Sequence, residues 1–166
     1  MTEHVRSIRT IDEDGIAIIF TWENRLILYD LRTGEMIRAW CCPDPDCTML
    51  AVITGRIFLA CPEQDKILIY DKTGGRDNDL SLRGIELPDF LTDYDGETLI
   101  ITGDGRIGRF PICEVSEPLW IQDMEGVYSV CVDDTGLIYV PMDLVKVVHV
   151  LSSSGRVLRC SGIAQW

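Results

Sequence analysis

Histidine is scarce in this chain: only His4 and His149 occur in 166 residues. That leaves no credible Ser-His-Asp relay, and no G-x-S-x-G elbow is present to carry a nucleophile. His149 lies inside an apolar run and reads as a packed or surface residue rather than a base. Gly103-Asp-Gly105 comes nearest to a glycine-rich phosphate loop, but it sits between two strand-like runs and precedes no helix. No window carries a helical apolar stripe, which argues against long helices. No apolar run approaches roughly 18 residues, so no helical membrane span is expected. Met1-Thr2-Glu3-His4 has neither a basic nor an apolar leader pattern, so no signal peptide is expected. Positive charge is also short: 15 Lys and Arg stand against 27 Asp and Glu, for a net charge of −12. That balance disfavours nucleic acid and anionic membrane as partners.

Cysteine, by contrast, is plentiful. Seven residues, an odd number, without an export signal, suggest reduced thiols in a cytoplasmic or nuclear protein. Cys41-Cys42-Pro-Asp-Pro-Asp-Cys47 is the one tight cluster. A zinc site needs about four convergent ligands, usually seen as two spaced pairs. Here the second pair is missing, and both histidines are distant in sequence. Free thiols in a loop and its flanking strand are expected, with no metal and no cofactor. Whether Cys41, Cys42 and Cys47 bind metal stays open at this level.

The chain repeats. Arg25-Leu-Ile-Leu-Tyr-Asp30 parallels Lys66-Ile-Leu-Ile-Tyr-Asp71, and both parallel Arg106–Pro111 and Lys146–Leu151. The leading basic residues stand at 25, 66, 106 and 146, a period near 40. Four residues on, the same register holds Tyr29, Tyr70, Phe110 and Val150. A second column reads Gly15, Gly55, Gly96 and Gly136, and a third reads Gly34, Gly75 and Gly155, with Val115 the exception. The first glycine column falls between apolar stretches, as a hairpin turn requires. Aspartates precede three of these glycines: Asp12 and Asp14, Asp93 and Asp95, Asp133 and Asp134. Ile57–Ala60, Leu99–Ile101 and Leu137–Val140 are almost wholly apolar and should be buried on both faces. Each repeat therefore reads as four antiparallel strands, the blade of a β-propeller. The expectation is an all-β chain, 1–166, in one domain of four four-stranded blades of about 40 residues. Their bounds are 5–42, 48–87, 91–122 and 127–162. The aromatic column is assigned to packing between blades, since one blade cannot cover both of its faces.

Val130-Cys-Val-Asp-Asp-Thr-Gly-Leu-Ile-Tyr-Val140, followed by Lys146-Val-Val-His-Val-Leu-Ser-Ser-Ser-Gly155, resembles an NHL repeat. Glu23–Glu35 and Asp65–Gly74 resemble it too. The likeness covers nearly the whole chain. WD repeats are a neighbouring resemblance, since Tyr29-Asp30 and Tyr70-Asp71 fall where Trp-Asp would end a third strand, although the Gly-His dipeptide is absent. The third repeat departs most: Pro111 lies in its strand, the late glycine is missing, and Cys113–Pro118 reads as an insertion. The NHL resemblance implies a mostly noncatalytic binding module, as at the C-terminus of tripartite-motif ubiquitin ligases, where such propellers recognise protein or RNA. It also implies six blades more often than four. A small closed ring, a part of a larger propeller, and two copies pairing their open ends as a homodimer are all compatible with four repeats.

In a propeller the fourth-to-first and second-to-third strand connections crowd one face. Here they carry Trp22, Glu23, Asp44, Asp46, Glu63, Asp65, Glu86, Asp89, Asp104, Asp123, Glu125 and Asp143. Most of these compose an acidic face expected to dock a protein or basic peptide. Trp22 and Trp40 are candidate aromatic anchors, or else partly buried packing residues. RNA would instead need a basic patch, for which the ring Arg25, Lys66, Arg106 and Lys146 is the best candidate. A metal-dependent propeller hydrolase or lactonase is the enzymatic alternative, with Asp65, Asp104 and Asp143 converging on a Ca²⁺-type ion.

Overall fold

The computed structural model describes residues 5–11, 15–42, 44, 46–112, 115–142 and 145–162. Four antiparallel sheets follow one another along the chain. The first blade is β1 (Val5–Thr10), β2 (Ile16–Thr21), β3 (Arg25–Asp30) and β4 (Glu35–Cys41). The second is β5 (Met49–Ile53), β6 (Arg56–Cys61), β7 (Lys66–Tyr70) and β8 (Leu80–Leu82). The third is β9 (Pro88–Asp93), β10 (Thr98–Gly103), β11 (Arg106–Pro111) and, after β12 (Val115–Ser116), β13 (Trp120–Asp123). The fourth is β14 (Cys131–Val132), β15 (Ile138–Met142), β16 (Val147–Leu151) and β17 (Val157–Gly162). Among the described residues the only helical segment is a single 3₁₀ turn, Pro62–Gln64. This is the blade order of a β-propeller. The insertion in the third repeat has a structural use: β12 crosses back and pairs in parallel with β8, giving the second blade a fifth strand.

Three apolar cores join the blades in series. Ile18, Phe20, Leu26 and Leu28 of the first blade meet Leu50, Ile57, Leu59 and Tyr70 of the second. Phe58, Ala60, Ile67 and Ile69 on the other face of the second blade meet Leu91, Leu99, Ile101 and Phe110 of the third. Ile100 and Ile107 of the third then meet Ile138, Val140 and Leu151 of the fourth. Because strand side chains alternate between faces, the middle strands of the second and third blades are buried on both, as their unbroken apolar runs require. Among the described residues no such core joins the first blade to the fourth. The outer faces of the first and fourth blades belong to none of these three cores. One presents Tyr29 with the exposed Ile8 and Met36. The other presents Tyr139 and Val148.

Tyr70 and Phe110 of the aromatic column pack between blades, whereas Tyr29 lies on the outer face of the first blade and joins none of the three cores. Tyr70 pairs across its sheet with Ile57, Phe110 with Leu99, and Leu151 with Ile138, each pair within an inter-blade core. The fourth member is thus Leu151, not Val150. Arg25, Lys66 and Arg106 open their strands, whereas Lys146 lies one residue before β16 with φ +52°. The connection before β16 has the same length as that before β7, but its basic residue is the last of the turn rather than the first of the strand, which shifts the column by one. The third glycine column also moves by one: Gly74, not Gly75, takes the left-handed conformation, at φ +81°. The Trp40 ring lies over Gly74, and Trp120 lies over Gly155 in the same way, so each indole covers a turn of the next blade. Trp40 is therefore a packing residue.

Aspartates cap the turns as their side-chain chemistry predicts. Asp133 accepts from the Thr135 and Leu137 amides at 2.9 and 3.0 Å and from the Tyr139 hydroxyl at 2.9 Å. Led by the Thr135 hydroxyl, these bonds hold its carboxyl down at about 2.

Candidate docking groove

The fourth-to-first and second-to-third strand connections do converge, and they line a cavity of about 890 Å³. Asp46 and Thr48 come from the β4–β5 connection, Pro62 and Glu63 from β6–β7, Leu87 from β8–β9 and Asp89 from the start of β9. Asp104 and Gly105 come from β10–β11, and Glu125 through Tyr128 from β13–β14. Gly103 makes the close packing possible: a Cβ there would lie 2.5 Å from the Glu86 carbonyl oxygen and 2.6 Å from that of Leu87. The connection bearing Leu87, which leads into Asp89, therefore rests directly on the end of β10.

Five carboxylates line this groove, those of Asp46, Glu63, Asp89, Asp104 and Glu125, against one guanidinium, Arg6. Among the described residues none of the five is in an ion pair. Arg6 is already engaged: it donates to the Cys47 carbonyl and lies over the Trp22 ring at 4.2 Å. Asp89 stands out electrostatically, because burial alone pushes its carboxyl up. Apolar contact is offered by Leu87 and Tyr128, which are 46% and 62% exposed.

The remaining sequence-predicted residues divide. Trp22 and Glu23 are exposed on the β2–β3 turn but lie outside the groove lining. Asp65 uses an oxygen to accept the Leu87 amide at 2.8 Å, fixing the loop that presents Leu87. Glu86 is exposed beside it. Asp123 pairs with Arg106 at 3.1 Å. Asp143 lies outside the described residues. Asp44 needs correction: at 2% exposure it is buried and offers a partner no surface. Arg6, Leu87 and Tyr128 were not anticipated. Tyr128 lies just past the connection that the sequence assigned to this face, which ended at Val127.

The cysteines also depart from expectation. Cys47 is disulfide-bonded to Cys61 at the end of β6, with the Cα atoms 4.1 Å apart. Cys42 is a buried thiol, and Cys41, Cys131 and Cys160 are exposed thiols. The candidate basic ring is broken up. Lys66 pairs with Asp79 at 3.2 Å and Arg106 with Asp123, while Lys146 sits in a turn. No helix is long and apolar enough to cross a membrane among the described residues.

No family model matches the chain, and no curated protein matches it. Solved structures do. A mitotic checkpoint complex chain superposes with a TM-score of 0.79 at 13% identity, over 97% of this chain and 52% of that one. A streptogramin B lyase gives 0.77 at 18% identity, over 95% and 54%. The virginiamycin B lyase of Staphylococcus aureus gives 0.77 at 16% identity, over 96% and 56%. At these identities the likeness concerns the fold: a β-propeller architecture, with a protein-assembly component and lyases among its neighbours. The chain spans about half the length of each.

Proposed function

We propose that this chain is a noncatalytic docking module that receives a basic peptide or protein tail in the acidic groove. The observation that carries the reading is the lining itself: five carboxylates, four from separate connections and Asp89 from the start of β9, none in an ion pair among the described residues, facing one cavity. Lysine or arginine side chains entering there supply the missing counter-charges. Leu87 and Tyr128 receive the aliphatic stems. Such complementarity sets orientation and raises the association rate more than it raises raw affinity. The NHL resemblance supports the same role, that of a recognition module such as the substrate-binding part of a ubiquitin ligase.

The hydrolase reading has less support. Among the described residues, the only three ligand groups gathered within 4.8 Å are Asp44, Cys47 and Cys61, which lie outside the groove lining. The groove carboxylates are spread along its walls. RNA binding is disfavoured by charge, since Arg56, Arg76 and Arg109 pair with Asp77, Asp79 and Asp95.

Fluorescence anisotropy with two labelled peptides of equal length tests the proposal. A lysine-rich peptide should bind, and should weaken steeply with added salt because the Debye length shrinks to about 8 Å at physiological ionic strength. A glutamate-rich peptide should not bind. Equal affinity for both, or none for either, would refute it.

A further inference from the structure

The β4–β5 connection and the end of β6 bring together a buried cluster that the docking reading does not use. The Cys42 sulfur lies 3.4 Å from that of Cys47, which is bonded to Cys61. Asp44 completes the group: its ligand oxygen and the sulfurs of Cys47 and Cys61 all lie within 4.8 Å of one another. All four residues are buried, at 7%, 2%, 0% and 0% exposure for Cys42, Asp44, Cys47 and Cys61. The backbone holds them in place. The Cys42 amide donates to the Asn24 carbonyl at 2.7 Å, and the Thr48 amide donates to the Ala60 carbonyl at 2.9 Å, which sets Cys47 against Cys61.

Asp44 is the telling member. One carboxylate oxygen accepts the Asp46 amide at 2.9 Å, while the other is fully buried and has no hydrogen-bond partner. A buried carboxylate oxygen without a donor is costly, and a cation held among the sulfurs would satisfy it. The Cys42 sulfur lies outside that 4.8 Å group but beside the Cys47 sulfur, so a shift of its side chain completes a set of three sulfurs and one carboxylate, suited to zinc. Tetrahedral Zn–S bonds of about 2.3 Å place neighbouring sulfurs about 3.8 Å apart, close to the Cys42–Cys47 separation. We infer that in the reduced chain Cys42, Asp44, Cys47 and Cys61 form a closed structural site for one thiophilic divalent cation of the zinc class. Cys47 and Cys61 ligate only as thiolates, so the cation and the disulfide are alternative states of that pair. The site would pin the connection that carries Asp46 and Thr48 into the groove wall.

The test uses the full chain, reduced with a phosphine, desalted without oxygen and titrated with Co²⁺ and then Zn²⁺. One equivalent of Co²⁺ should give a thiolate-to-cobalt charge-transfer band and the visible bands of tetrahedral cobalt, and one equivalent of Zn²⁺ should bleach them. Cys42→Ser and Asp44→Asn should each weaken Co²⁺ binding about tenfold or more, as loss of metal-site partners does. Cys41→Ser, at an exposed neighbour, should leave it unchanged. Absence of the charge-transfer band in reduced wild-type chain that remains folded by circular dichroism would overturn the inference, and that experiment depends on no variant folding. A band that survives undiminished in both Cys42→Ser and Asp44→Asn would overturn it equally.

Discussion

Replacing Phe110 with alanine is expected to remove about 3–5 kcal/mol of stability, the usual cost of deleting a buried phenyl ring. Phe110 has no exposed surface and sits in the middle of the three inter-blade cores, against Leu99 and its neighbours. Net stability of a domain is only about 5–15 kcal/mol, so this one change takes a large share. The serial order of the blades makes the consequence sharper. Each blade contacts only its neighbours, so cooperativity passes through every interface in turn. Weakening the middle one should uncouple the first two blades from the last two. Urea unfolding followed by tryptophan fluorescence and by circular dichroism should shift to lower midpoint, and the two signals should separate. A midpoint unchanged within about 0.5 kcal/mol would mean that this interface does not join the halves.

The second large effect concerns binding. The triple change Asp46→Asn, Asp89→Asn, Asp104→Asn removes three groove charges, two from separate connections and one from the start of β9. Partly exposed ion pairs contribute about 0.2–1 kcal/mol each. Losing three together should weaken a lysine-rich peptide by about threefold to a hundredfold, at about 1.4 kcal/mol per tenfold. Stability should not fall. Burial raises the Asp89 carboxyl, so the folded chain holds that proton more tightly than the unfolded one, and its ionisation costs stability as pH rises. Asparagine lifts that cost at neutral pH. A variant that binds as wild type, or one that loses binding only because it unfolds, would contradict the assignment.

The sequence made the blades legible because their signals are local and periodic. Apolar strands and glycine turns recur near every fortieth residue, and each copy reinforces the others. Errors of one residue entered where a marker residue left its strand, as at Lys146, which ends the turn instead of opening β16 and so carried the aromatic column from Leu151 to Val150. The acidic face was legible for a similar reason, since the topology of a propeller assigns connections to faces before any side chain is placed. What stayed hidden depended on contacts between distant segments. Asp44 reads like Asp46 in the sequence, yet one is buried among sulfurs and the other lines the groove. Cys61 ends an apolar strand 14 residues from Cys47, and only the pairing of β5 with β6 makes them neighbours. The parallel pairing of β12 with β8 leaves no periodic trace at all.

The measurement that tests the docking account most directly is amide hydrogen exchange of the chain with and without the lysine-rich peptide. Slowed exchange should map to the connections around the groove, at 46–48, 62–65, 86–89, 104–105 and 125–128. Protection at the opposite turns, around 72–75, 94–97 and 153–155, would contradict the account, because it would place the partner on the opposite face.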